Sequence, residues 1–397
     1  MKKILLLGGS AQQIVAIETA KRLGYETILC DYLTDNPGQF VADRFYLVST
    51  TDKKAVLEVA GKEKVSGILA YASDPAAPTA AYVAEKMGLP GNPYESVEIL
   101  CNKDLFRKFL KENGFSAPTS CGFGSKKEAL GAQSNFRYPV IVKPVDSSGS
   151  KGATVLPSAD FLEEALDFAF SFSRCHRVIV EQFIEKKHPY LVGGDIFVRD
   201  GKIILWGLLN CHRDQNVNPL VPVGKSYPLK LQEEDLQNVK ETLTRMAEKL
   251  GIRNGSMNVE LVVDKTGHVW PIDVGPRSGG NMIPDLLGDM YGADIAEMSV
   301  KAAMGVPFCA SFHEPDGCYA TYNLHSDKNG RYVNVVFSPK IETYIYRKCL
   351  YKKPGDPVEF FDNASKCLGI IFMRFPDEET MVDVLENINK LVSVVLA

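Results

Sequence analysis

The chain has 397 residues, 45% of them hydrophobic and 24% charged, which is too long for one core, fits two or three domains and excludes a disordered or fibrous protein. A formal charge of −4 excludes a nucleic-acid binder held by a generally basic surface. Nine cysteines, odd in number and without a CxxC or CxxH pair, read as small buried hydrophobes kept reduced in the cytoplasm.

Met1-Lys2-Lys3 leads straight into an apolar strand without a secretory signal, and the longest apolar runs are strand-sized, so neither export nor a membrane span is expected. Residues 1–93 alternate the strands KILLLGG, ETILCD, RFYLVS and VSGILAY with helices at about Ala11–Leu23, Lys53–Ala60 and Ala76–Met87. This alternation implies βαβ units and a Rossmann-like parallel sheet. Its Gly8-Gly9-Ser10 turn stands where a dinucleotide fingerprint would begin, and Asp31 where a ribose-binding acid would end the second strand. The G-x-G-x-x-G spacing is absent, because Ala11-Gln12-Gln13 follow, so a tight strand-to-helix turn is the preferred reading over a nicotinamide site.

The next segment, NKDLFRKFLKENGFSAP, is a punctuated helix with Asn102 as N-cap, Gly114 at its C-terminal end and Pro118 beyond. In YPVIVKPVDSSGSKGATV a strand delivers Lys143 and is followed at once by a loop containing Ser147, Ser148, Gly149, Ser150 and Gly152. Small residues let backbone N–H groups approach phosphate oxygens while the lysine supplies a point charge, although a plain hairpin tip has the same composition. No Walker A motif occurs. VIVEQFIE then carries Glu181 at the end of an apolar strand. After KIILWGLLN, the stretch HRDQNVN (212–218) imitates a protein-kinase catalytic loop, but Pro219 stands where that motif needs Asn and no DFG follows. A long helix is expected near Glu233–Leu250.

NVELVVDKTGHVWPIDVGPRSGGN (258–281) reads as a hairpin around Asp264-Lys265-Thr266-Gly267, with one acid on each strand, Glu260 and Asp273. An even loop places the two acids on one face as possible oxygen ligands for Mg²⁺, and an odd loop separates them. A helix around Ile283–Met304 follows. Beyond Pro307 the strands CYATYNL and GIIFMRF and a final amphipathic helix, about Glu378–Val392, suggest a small C-terminal α+β domain.

In this order, NKDLFRKFL, VIVKP with its Gly-rich loop, VEQFI and NVELVVD…WPIDVGPR resemble the ATP-grasp superfamily of carboxylate–amine ligases, and the resemblance spans the whole chain. The overall plan is similar to phosphoribosylglycinamide synthetase and to the synthetase halves of carbamoyl-phosphate synthase. It implies a Rossmann-like pre-grasp domain at 1–93, a two-lobed ATP-grasp fold at 94–306 (nucleotide lobe about 110–180, metal lobe about 181–306) and a C-terminal domain at 307–397. By the same resemblance Lys143 and Lys103 would contact phosphates, Ser148, Gly149, Ser150 and Gly152 would form a lid, and Glu181, Gln182, Phe183 and Ile184 would form the hinge around adenine. Glu260 and Asp273 would hold Mg²⁺, with Mn²⁺ as an alternative, and Arg277 would steady the transferring phosphoryl group. His212 and Arg213, after the strand KIILWGLLN, and Asn281 are the substrate-facing candidates.

Two departures stand out. Asp273-Val274-Gly275-Pro276-Arg277 occupies the place of Glu-x-Asn-Pro-Arg, so an Asn ligand is missing, with Asn281 or water left to complete the shell. The acid that binds ribose has no clear counterpart: His188 and Asp195 are candidates, and Leu191 holds the aligned position. The expected activity is ATP-dependent ligation through an acyl phosphate, in a cytoplasmic protein with a carboxylate and an amine as substrates, a homodimer being the compatible assembly and neither nucleic acid nor membrane a partner. A nucleotide-binding protein without ligase activity and an NAD-dependent oxidoreductase are the alternatives.

Overall fold

The computed structural model describes residues 1–397. They form two compact units, each built from separate stretches of the chain: a first unit of Met1–Cys121, Gly194–Gly207 and Gln232–Phe312, and a second of Gly122–Gly193, Leu208–Leu231 and His313–Ala397.

In the first unit the strands Lys3–Leu7, Glu26–Asp31, Arg44–Leu47 and Gly67–Leu69 make a parallel sheet in the order third, second, first, fourth. Both faces of the inner strands are covered, which is why Ile4–Leu7 is a continuous apolar run, whereas the edge strand Arg44–Leu47 is exposed at both ends. Leu5 and Leu7 pack with the helices Lys53–Glu63 and Ala77–Met87, while Ile4 and Leu6 pack with Ile14–Arg22 and with Val300 and Met304. None of Ile4 to Leu7 is more than 2% exposed. Each such side chain stabilises the fold by roughly 1.5–3 kcal/mol relative to exposure.

The Gly8-Gly9-Ser10 turn is filled by the protein itself. A Cβ on Gly8 would lie 2.5 Å from the Gln13 carboxamide, and Gly9 packs against Gly38. Asp31 is 2% exposed and accepts from the N–H groups of Gly9 (2.7 Å) and Leu33 (3.0 Å) and from the Asn36 amide (2.7 Å). Both features organise the turn, as expected from the missing fingerprint.

A short helix, Tyr94–Cys101, precedes Lys103–Glu112, whose Asn102 cap accepts from the Leu105 N–H at 3.2 Å. The single helix expected over Ile283–Met304 is two, Ile283–Tyr291 and Ile295–Ala303. Gly292, at φ +70°, ends the first, and Asp294 caps the second by accepting from the Glu297 N–H at 2.8 Å.

In the second unit, Val178–Gln182, Val140–Pro144 and Thr154–Leu156 form a sheet in that order, backed by the helix Leu162–Phe172. Asn218–Tyr227, Cys318–Leu324, Gly369–Phe375 and Ile345–Leu350 follow one another in an antiparallel array. The last predicted helix is shorter than its pattern. It ends at Glu386, a short helix Ile388–Leu391 follows, and Val392–Leu396 is a strand paired with Gly330–Phe337. The β-branched residues Val392, Val394 and Val395 favour extended backbone. No helix is long and apolar enough to cross a membrane.

Candidate functional site

The metal question turns on one hairpin of the first unit. Gly255–Val263 pairs with Val269–Gly275 across Asp264–His268, a loop of odd length, which in unbroken register would put Glu260 opposite Ile272. The register shifts once, between Glu260 and Leu261: Leu261 faces Pro271 while Glu260 faces Asp273. A bulge at Ile272 therefore restores what the odd loop would have undone. Arg107, 4% exposed, holds that bulge by donating to the carbonyl oxygens of Ile272 (2.7 Å) and Pro271 (3.5 Å).

The turn is tied by Asp264, which accepts from the Thr266 N–H (2.8 Å) and hydroxyl (2.6 Å), the His268 N–H (3.1 Å) and the Trp270 indole (2.8 Å). Burial alone would raise the Asp264 pKa, but these donors hold it down to about 2. Removing the Arg107 donors should loosen the bulge, because the carbonyls of Ile272 and Pro271 each lose a hydrogen bond. We expect Arg107→Met to raise the Mg²⁺ concentration needed for half-maximal activity roughly tenfold, measured by magnesium titration, with Arg107→Lys intermediate.

Glu260 and Asp273 are hard oxygen donors on facing positions, a set that suits Mg²⁺ with water completing the shell. No group of three or more His, Cys, Asp or Glu side chains is arranged around a metal-sized point. Arg277 lies beyond the same strand and donates from Nε to Asp74 Oδ1 at 2.7 Å, from Nη2 to Asp74 Oδ2, and from Nη1 to the Ser278 carbonyl at 2.9 Å. Burial lowers the Arg277 pKa, and Asp74, Asp195 and Asp273 outweigh it and raise the pKa above its ordinary value. Burial likewise pushes the Cys101 thiol up, with Asp74, Arg277, Asp273 and Lys103 the charges acting on it next, so these four groups share one neighbourhood.

This geometry accounts for Gly275. A Cβ there would lie 2.4 Å from Asp74 Oδ1, so the Asp74 carboxylate occupies the space in which a side chain at 275 would begin. Gly275→Ala should lower the melting temperature, since overpacking costs about 1–3 kcal/mol. Combining it with Asp74→Ala should give a loss smaller than the sum of the two single losses, because the steric conflict is then gone. Additive losses would rule this account out.

The loop after Arg277 is held by Asp195, 1% exposed, which accepts from the Gly279 N–H (2.7 Å) and the Asn258 amide (2.8 Å). That commitment removes Asp195 from the ribose candidates. Asn281 sits at φ +55°, and its N–H donates to Gln12 Oε1 at 2.6 Å.

The second unit carries the phosphate candidates other than Lys103, which begins the helix Lys103–Glu112 of the first unit. Lys143, paired with Ile179 across the sheet, makes a buried ion pair with Glu181; their side chains are 9% and 2% exposed. Glu181 thus acts through its carboxylate, which the hinge reading did not anticipate. Gln182 and Phe183 are exposed, and the Phe183 N–H donates to the Pro139 carbonyl at 3.1 Å. In the loop, Gly149 and Ser150 are left-handed at φ +66° and +61°, and the Ser150 hydroxyl donates to the Leu220 carbonyl at 2.8 Å. Gly152 serves packing, since a Cβ would stand 2.9 Å from Pro144 Cγ. Burial lowers the Lys151 pKa, and repulsion by Arg174 adds to it, so an anion beside this loop would relieve both.

His212 and Arg213 belong to the strand Lys202–Asp214 and do not follow it, as the sequence reading had it. Register shifts on both sides of Arg213 interrupt the pairing there. His212 Nε2 is 2.7 Å from Ser226 Oγ, and its ring lies 4.5 Å from that of Tyr190. Burial, then Lys225 and Arg213, push His212 down to about 4. Because the unfolded chain takes up this proton near pH 6.5 and the folded one does not, stability falls as pH drops from about 6.5 to 4. His212→Gln should remove about 2–3 kcal/mol of that acid sensitivity, measured as the difference in urea midpoints at pH 7 and 4.5.

Three residues that matter here were not sequence candidates. Lys151 stands between Ser150 and Gly152 inside the loop, and Arg107 lies one helical turn after Lys103; both signals were available. Asp74 had no local signal beyond its place just past the fourth parallel strand, the end of such a sheet where ligands collect.

Residues 136–285 match the ATP-grasp domain family. The carbamoyl phosphate synthase large chain of Thermotoga petrophila is 28% identical over 290 residues, 71% of this chain and 25% of that protein, so the chain spans about a quarter of the length of this relative. Among solved structures, the L-amino acid ligase of Bacillus licheniformis superposes with a TM-score of 0.83 at 20% identity, covering 100% of this chain and 99% of that one. The phosphoribosylglycinamide synthetase of Anaerococcus prevotii gives 0.77 at 20% identity, covering 100% of both.

Proposed function

We propose that this chain, whose residues 136–285 are an ATP-grasp domain, is an ATP-dependent ligase that activates a carboxylate as an acyl phosphate and joins it to an amine or similar nucleophile. The observation that carries the reading is the bulge that brings Glu260 opposite Asp273. It sets two carboxylate-bearing residues opposite each other where an undisturbed hairpin would part them.

In this reading Lys143, Lys103, Lys151 and the 147–152 loop bind the polyphosphate, and 181–184 border the adenine. Glu260 and Asp273 would hold Mg²⁺, or Mn²⁺ in its place, which when bound neutralises developing charge on the phosphates. Arg277, aimed by Asp74, presents a fixed guanidinium to the phosphoryl group and to the acyl phosphate oxygens. His212, Arg213 and Asn281 are assigned to the second substrate. Catalysis then rests on positioning and charge neutralisation, and no nucleophilic Ser or Cys is required.

Functionally we divide the chain at residues 93 and 306, into a Rossmann-like region, the ATP-grasp region and a C-terminal region. We take the protein to be cytoplasmic and compatible with a homodimer, acting on small molecules and on neither nucleic acid nor membrane.

The test is ADP release from Mg-ATP across a panel of carboxylates, with hydroxylamine as surrogate nucleophile. Carboxylate-dependent hydroxamate supports the proposal. Tight Mg-ATP binding with no hydroxamate from any carboxylate would favour a protein that only binds nucleotide.

A further inference from the structure

The first unit contains a cavity of about 660 Å³, within the range of small-molecule sites. Glu260, Asp273 and Asp74 are not among its lining residues, so it is distinct from the metal carboxylates. One wall is a helical stripe, Ala77, Ala80, Ala81 and Ala84, spaced i, i+3, i+4, i+7 along Ala77–Met87. Four methyl groups along one face leave open a volume that larger side chains would close.

At the inner side are three hydroxyls. Ser278 Oγ donates to Ser256 Oγ at 3.1 Å and lies 3.5 Å from Ser299 Oγ. Two further arginines line the cavity besides Arg277. Arg199 is half-buried over the Phe308 ring and spends one donor, Nη1, on the Phe308 carbonyl at 3.2 Å, and Arg253 is exposed. A guanidinium has five N–H donors, so Arg199 retains capacity for a ligand. Asp200 is the one acidic residue in the lining.

We propose that this cavity binds a small organic carboxylate with an apolar body. Its carboxylate meets Arg199 and Arg253, a match that a guanidinium fork makes well. Its hydrocarbon part lies along the alanine stripe, and a polar far end reaches the serine hydroxyls. Because Pro276, Arg277 and Ser278 also line the cavity, an occupant touches the segment that carries Arg277 from outside the metal carboxylates.

The experiment uses the 397-residue chain and 8-anilinonaphthalene-1-sulfonate, an anion with an apolar body, followed by fluorescence and displaced by hexanoate, in the presence of saturating Mg-ADP. Arg253→Glu reverses a charge at an exposed position, and Ala80→Phe fills the cavity from a half-buried one. Melting curves verify that both variants fold. We expect saturable binding to wild type that hexanoate displaces, at least tenfold weaker binding to Arg253→Glu, and loss of binding to Ala80→Phe. Undiminished affinity in Ala80→Phe overturns the site. Loss in Ala80→Phe with unchanged affinity in Arg253→Glu, or no displacement by hexanoate, overturns its assignment to carboxylates. The readout is binding, so it does not depend on ligase activity.

Discussion

Glu260→Gln and Asp273→Asn are each expected to lower ADP formation by roughly 100-fold or more, with the double variant scarcely worse than either. Both substitutions keep the shape of the side chain and remove its charge, so strand packing should survive while attraction for a cation paired with phosphates is lost. Near-equal single and double effects follow if the two carboxylates act as one unit, and multiplicative effects would show them acting apart. Asp273 is the sharper probe, because its position opposite Glu260 depends on the bulge at Ile272. If Asp273→Asn kept full Mg²⁺-dependent activity, the metal would have to be held elsewhere, and the bulge would need another explanation. Steady-state ADP release at saturating Mg²⁺, together with melting curves of each variant, decides the matter.

The Rossmann-like region was legible because its signals are local. Continuous apolar runs such as Ile4–Leu7 mark strands buried on both faces, and their helices carry matching periodicity. The break at Gly292 was equally local but was read through, since apolar positions recur on both sides of it. The hairpin marks the limit of such reading. Its turn residues could be recognised, but an odd loop and a compensating bulge cannot be separated by period alone. The deciding contact, Arg107 on the Ile272 carbonyl, spans 165 positions. Gly275 was visible as a departure from the family pattern, and its cause was not, because the carboxylate filling its space comes from Asp74, two hundred residues earlier in the chain. Lys143 was chosen for its charge and its loop. That its counter-ion would be Glu181, a residue read as a backbone hinge, depends on the antiparallel register of two strands joined by a long excursion.

That pairing sets the second large effect. A lysine valued only for its contact with phosphate could be replaced by methionine with little change in stability. Lys143 and Glu181, with side chains 9% and 2% exposed, are instead a buried pair, and removing one partner strands the other charge in a medium that solvates it poorly. Lys143→Met should therefore destabilise the protein by about 3–5 kcal/mol, read as a lower urea midpoint, as well as lose nucleotide binding. Replacing both residues by apolar ones of similar volume, Lys143→Met with Glu181→Leu, should recover most of the stability, because a well-packed hydrophobic pair is often as good as a buried ion pair. It should recover none of the nucleotide binding, since the ammonium is still absent. Stability and binding thus part company in the double variant, and that separation is the test. If the double variant binds Mg-ATP as wild type does, Lys143 is a structural ion-pair partner and the phosphate contact belongs to other residues, with Lys151 the first to examine. If the double variant is as unstable as Lys143→Met alone, the pair's importance lies in contacts other than its mutual charge.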